Sequence, residues 1–215
     1  MLMNDEVGQS DPTMVPIAEM HRRIRAVLAT ARSLTRRTAR SAKSVEEFEQ
    51  HLDTRLLAFG RSQSNATGET RSQVDLELLV REEVLAVIGR DDRFIHIAGP
   101  NVRLPRRLAE TFTLAVNELL INSIKYGVLL TERGRISISW TIDRLAGGDL
   151  LEFSWVETIF GDAVLPPAHR GFGTELLEGV MRYEHDAMPA FLVGANGVRY
   201  SVKLLLAEVE GPVRW

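Results

Sequence analysis

Glu118, Asn122 and Lys125 lie in the segment "LAVNELLINSIKYG" at spacings of four and then three residues, which on a helix stacks them along one face. Around them, Leu114, Val116, Leu119, Leu120, Ile121 and Ile124 make the same helix apolar over much of its circumference. Two readings fit such a stripe. It can be the solvated face of a packed helix. It can also be a nucleotide site, in which an Asn carbonyl joins Mg²⁺ coordination, a Lys one turn on meets phosphate oxygens, and a Glu orients or deprotonates a nucleophile.

Two further segments bear on that choice. In "RGFGTELLEG" (170–179), Gly171 and Gly173 permit close backbone approach, and a helix opening at Thr174 would turn free N–H groups toward an anion. Its plainer reading is a tight turn before a helix. In "FSWVE", Glu157 ends a run with strand character, where a carboxylate can accept a hydrogen bond from an adenine amino group or simply terminate the strand. A fourth candidate is His21, at the head of the basic run "HRRIRAVLATARSL". It is a phosphate acceptor, a seam-edge helix residue or a nucleic-acid contact. His51, His96, His169 and His185 share no metal-ligand spacing.

The elements that must position these residues follow from periodicity. Ile17, Met20, Ile24, Val27, Leu28, Ala31 and Leu34 recur at helical spacing and predict one long helix to about Arg40. Ser44 and Glu47 form an S-x-x-E capping box that opens a second helix, "VEEFEQHLDTRLLAFGRSQ". The first helix is basic and the second starts acidic, so the pair reads as an antiparallel hairpin. An amphipathic hairpin cannot bury both sides of its seam alone, which predicts a homodimeric four-helix bundle. The polar stretch "SQSNATGETRSQ" (62–73) is the expected boundary. Residues 1–15 are expected to form a disordered tail, 16–72 the hairpin and 73–210 a second domain.

Beyond the boundary a helix is expected over Leu76 to Ile88, then a strand in "RFIHIAG" and a long helix from Pro105 to Gly127. Strands are expected in "RISISWTI", "LLEFSWV", "PAFLVGAN" and "VRYSVKLLLAE", with the helix of "GFGTELLEGVMRY" before the last two. Helices interleaved with mostly antiparallel strands predict an α+β class, an α/β sandwich with helices on one face of a sheet.

Composition narrows the function. The 215 residues are 45% hydrophobic and 26% charged, enough for a real core. A net charge of −3 argues against a protein built to coat nucleic acid. Without cysteine there is no disulfide, thiolate or zinc-thiolate chemistry, which points to the cytoplasm. No apolar run approaches the roughly 20 residues that a membrane span needs.

Taken in order, Glu-x-x-x-Asn-x-x-Lys-Tyr (118–126), W-x-E (155–157) and G-F-G-T (171–174) resemble the ATP-binding domain of histidine kinases, and within them the HWE subfamily. The hairpin is similar to that family's dimerisation and phosphoacceptor domain, with supporting fragments "LATARSLTRRTARS", "EEFEQHLDTRLLAF", "AGPNVRLP" and "NSIKYGVL". The resemblance covers residues 16 to about 207 and implies a Bergerat-type sandwich that binds ATP with Mg²⁺. It implies that Asn122 holds Mg²⁺, Lys125 contacts phosphate and Tyr126 lines the pocket. By the same resemblance Glu118 is the catalytic acid of the N-box, Glu157 the adenine partner, and Gly171, Gly173 and Thr174 the phosphate loop.

The chain departs from the pattern at defined places. Asn117 stands where the subfamily has the histidine of its name, and Ile159 and Phe160 replace a glycine pair after the acid, which predicts weakened nucleotide binding. Register puts Arg22 at the phosphoacceptor position and Ala26 at the motif Asn, leaving His21 on the position of an optional preceding histidine. Restoring the H-R pair needs a one-residue insertion in a helix, a rotation of about 100°. The resemblance therefore implies a sensor-less kinase that phosphorylates a histidine and passes the phosphoryl to a receiver-domain aspartate of a response regulator. The signal would come from a separate sensor protein, with neither nucleic acid nor membrane as a partner. The alternative is a degenerate relative serving as a histidine phosphotransferase or receiver-binding scaffold. An anti-sigma-factor type of serine kinase lacks the hairpin.

Overall fold

A computed structural model describes residues 14–42, 44–64, 73–89, 93–161, 173, 175–194 and 196–206. The chain divides into two compact units, Met1–Leu52 and Asp53–Trp215. In the first, helix α1 (Met14–Ser41) is followed after a short turn by the start of α2 (Val45–Ser64). The Ser44 hydroxyl accepts from the Glu47 backbone N–H at 3.1 Å, so the cap expected from S-x-x-E is in place. Along α1 the row Ile17, Met20, Ile24, Val27 and Leu28 is exposed, and the chain's own residues bury this helix only from Leu34 on.

The second unit holds the end of α2 and a mixed α/β region. Its elements are β1 (Gln73–Asp75), α3 (Leu76–Ile88), β2 (Ile95–Ala98), β3 (Arg103–Pro105), α4 (Arg106–Tyr126) and α5 (Val128–Thr131). Then come β4 (Gly134–Leu145), β5 (Gly148–Ile159), a π-helical stretch (Glu175–Val180), α6 (Met181–His185), β6 (Met188–Gly194) and β7 (Gly197–Leu206). Five strands form one sheet in the order β2-β4-β5-β7-β6, antiparallel throughout except for the β2–β4 pair. Helix α3 runs between the residues that the sequence predicts, because Asp75 caps Leu78 at 3.0 Å and Gly89 closes the C-terminus.

Alternation fixes which side chains face the helices. Ile136, Ile138 and Trp140 of β4, Leu151, Phe153 and Trp155 of β5, and Tyr200, Val202 and Leu204 of β7 are buried with Phe112, Val116, Leu119 and Leu120 of α4. Phe112 meets Phe153 edge-on at 5.3 Å between ring centroids. The expected α+β sandwich is therefore what forms.

The departures are local. The β1–β3 ladder pairs only Gln73, Val74 and Asp75 with Pro105, Leu104 and Arg103, too short to show a sequence period. The helix expected after Thr174 begins as a π-helical turn, and the Tyr200 hydroxyl donates to the Leu177 carbonyl there at 3.0 Å. Among the described residues no helix is long and apolar enough to cross a membrane.

Candidate nucleotide site

The polar stripe on α4 is buried at Glu118 and half-buried at Asn122 and Lys125. Glu118 is buried, and Arg55 of α2 grips its carboxylate with two bonds, Nε to Oε1 at 2.6 Å and Nη2 to Oε2 at 3.1 Å. Both side chains are almost wholly shielded, at 6% and 7% exposure, so each ion is held by its partner in place of water. One turn along, Asn122 is half-buried, as are Lys125 and Tyr126 at the helix end.

Gly173 joins this stripe from a distant part of the chain. A Cβ on it would lie 3.0 Å from Glu118 Oε2 and 3.7 Å from Asn122 Nδ2. A side chain would thus crowd the acid, and glycine lets backbone come up against both polar groups. Gly171 and Thr174 lie outside the described residues.

Glu157 sits on the inward row of β5, two residues after Trp155, and is 5% exposed. Its Oε1 accepts from the Ser123 hydroxyl at 2.5 Å and from the backbone N–H of Val128, the first residue of α5. Ser123 Oγ in turn accepts from Leu129 N at 3.2 Å. The carboxylate thereby braces the corner where α4 turns into α5. Gly127 is the hinge of that corner, and any Cβ there would collide with the Glu157 carboxylate. Replacing Ser123 by Ala is expected to cost about 1–3 kcal/mol, since it strips partners from a buried carboxylate and from a backbone N–H. Urea unfolding followed by circular dichroism reads this, and parent-like stability would mean that Ser123 is dispensable to the corner.

Beside the stripe, Glu83 of α3 is gripped by Arg61 at 2.9 and 2.8 Å and accepts from Asn117 Nδ2 at 3.4 Å. Charge-assisted bonding to Glu83 raises the Arg61 pKa above its ordinary value. Asn117 Oδ1 is buried without a partner among the described residues. Ile159 continues the inward row of β5 into the core, while Phe160 stands 60% exposed beyond the strand. His21 and Arg22 are both exposed on α1.

The fold therefore brings Glu118, Asn122 and Gly173 together, and sets Glu157 against Ser123, the residue next to Asn122. Arg55, Ser123 and Glu83 did not stand out in the sequence. Arg55 carries one faint signal, because it shares the helical face of Leu52, Phe59 and Ser62. Backbone at Gly173 set against a paired carboxylate and a side-chain amide is an arrangement that a phosphate group with a hard divalent cation can use.

A family model described as HWE histidine kinase matches residues 19–101. The blue-light-activated histidine kinase of Brucella ovis is 27% identical over 195 residues, covering 91% of this chain and 38% of that protein. This chain thus spans well under half the length of that relative. In structure, the histidine kinase domain of the Erythrobacter litoralis EL346 blue-light activated histidine kinase matches with a TM-score of 0.54 at 14% identity, over 83% of this chain and 94% of that one. The EL346 kinase itself matches with a TM-score of 0.56 at 15% identity, over 84% of this chain and 63% of that one.

Proposed function

We propose that this chain is a histidine kinase of the HWE type, which transfers the γ-phosphoryl of ATP to His21 and passes it on to an aspartate of a response-regulator receiver domain. The observation that carries the reading is the meeting of Gly173 with Glu118 and Asn122 on the helix face of the sheet domain. A polyphosphate needs backbone approach and polar side chains at one place, and chain segments about 50 residues apart supply both.

In this reading Asn122 holds Mg²⁺ through its side-chain carbonyl, and Lys125 supplies a cation to the phosphate oxygens. Mg²⁺ supplies charge neutralisation on the transferring phosphoryl when bound. Tyr126 lines the pocket, Gly173 serves the phosphate together with Gly171 and Thr174, which lie outside the described residues, and Glu157 lies toward the adenine end. Its Oε1 is already engaged by Ser123 and Val128, so a nucleobase amino group would have to meet the other oxygen. Phe160, exposed just past β5, is the bulky residue free to narrow that end.

His21 is the one histidine of α1 and is exposed, as an acceptor must be to reach both donor and receiver. An imidazole nitrogen attacks the γ-phosphorus in line as its bond to the bridging oxygen breaks, leaving ADP and phosphohistidine. The uncovered row from Ile17 to Leu28 supports pairing of two α1–α2 segments in a homodimer.

Incubation with γ-labelled ATP and Mg²⁺ tests the proposal. Acid-labile, base-stable label is expected on the parent and absent from His21→Ala. Asn122→Ala is expected to lower labelling by about two orders of magnitude or more. Nucleotide binding without any label would replace the kinase by the degenerate phosphotransfer or scaffold reading, and label surviving His21→Ala would move the acceptor elsewhere.

A further inference from the structure

We infer that Arg55 is a positioning residue of the nucleotide site, which fixes Glu118 and balances its charge where the phosphates would lie. The inference rests on the nucleotide reading above and adds a residue from α2 to it. Three observations carry it. Arg55 holds both oxygens of Glu118, at 2.6 and 3.1 Å, in a fork geometry that sets the plane of the carboxylate. Both groups are shielded from water, so neither charge is screened by solvent. Glu118 Oε2, the oxygen that Arg55 Nη2 grips, is also the atom nearest to a Cβ built on Gly173, so the paired acid lies directly against that glycine.

An unbalanced carboxylate at that place repels a polyphosphate. With the guanidinium bound, the pair is close to neutral and presents the anion with no net opposing charge. Arg55 is placed to do this by the helix period, which sets it with Leu52, Phe59 and Ser62, and Phe59 and Ser62 are buried. Arg61 makes a fork of the same kind with Glu83 and serves as the comparison, because Glu118 and Asn122, not Glu83, supply the atoms that a Cβ on Gly173 would meet first.

The test is binding of Mg-ATP and of adenosine to the full chain, by calorimetry, for the parent and four variants. Arg55→Met is expected to weaken ATP by about tenfold or more while leaving adenosine alone, since only the phosphates meet the uncovered charge. Arg55→Lys, which keeps the charge and loses the fork, falls between. Arg55→Met with Glu118→Gln returns ATP affinity toward that of the parent, because the charge that needed balancing is gone. Arg61→Met leaves ATP affinity within error of the parent.

Equal losses for ATP and adenosine would overturn the inference in favour of a scaffold role, as would unchanged ATP affinity in Arg55→Met or a double variant no better than the single. Should Arg55→Met not fold, Arg55→Gln with and without Glu118→Gln takes its place and decides by the same rule. A parent that binds neither ligand would overturn the nucleotide reading and this inference together. A parent that binds both, with Arg55→Met indifferent, would overturn this inference alone.

Discussion

Glu118→Ala is expected to lower the unfolding free energy of the sheet-containing unit by about 3–5 kcal/mol, the range for removing one member of a buried ion pair. The large figure comes from what remains. Arg55 is 5% exposed, and without Glu118 its guanidinium loses both short bonds in a place that water barely reaches. The Glu152–Lys203 pair on the open face of the sheet is the contrast, with side chains 39% and 47% exposed. Breaking that pair is expected to change stability by about 0–1 kcal/mol. Urea unfolding, with Trp140 and Trp155 fluorescence as the probe, measures both. Similar small losses in the two variants would mean that the Arg55 fork is held no more tightly than a surface contact.

The second large effect belongs to Glu157→Ala, for which a loss of about 2–4 kcal/mol is expected. Its Oε1 is the acceptor for the Ser123 hydroxyl and the Val128 N–H, and removing it leaves two buried donors facing a cavity. Glu157→Gln keeps a carbonyl oxygen at that place and is expected to lose much less. If the Gln variant proved as unstable as the Ala variant, the charge on the carboxylate would matter more than its acceptor. An Ala variant as stable as the parent would sink the brace itself. Nucleotide affinity should fall with the Ala change too, because Ser123 precedes the α5 corner and follows Asn122 directly.

The elements were legible because the signals that form them are local. Alternation in "RISISWTI" and "LLEFSWV" marks one buried row per strand, and the same count puts Glu157 on the row of Trp155. Asp75 and Gly89 close α3 at both ends by capping. Where the local signal was weak, the reading missed. The three-residue β1 and β3 carry no period, and the π-helical start after Thr174 has its Tyr200 contact from across the sheet.

The sequence by itself determined the order of the longer helices and strands and named acid, amide and glycine residues as candidates for a nucleotide site. Those follow from periods of two and 3.6 residues and from residue chemistry, which act over a few positions. Only the tertiary structure decided the state of those residues. The Arg55–Glu118 pair joins positions 63 apart, and the Ser123–Glu157 bond joins positions 34 apart. Such partners are chosen by how helices and sheet pack around one core, where a buried charge must find its counter-ion, and no spacing along the chain records that choice. A stripe that read as solvated face or as binding site begins, in the folded chain, with a buried acid held by an arginine and faced by a glycine.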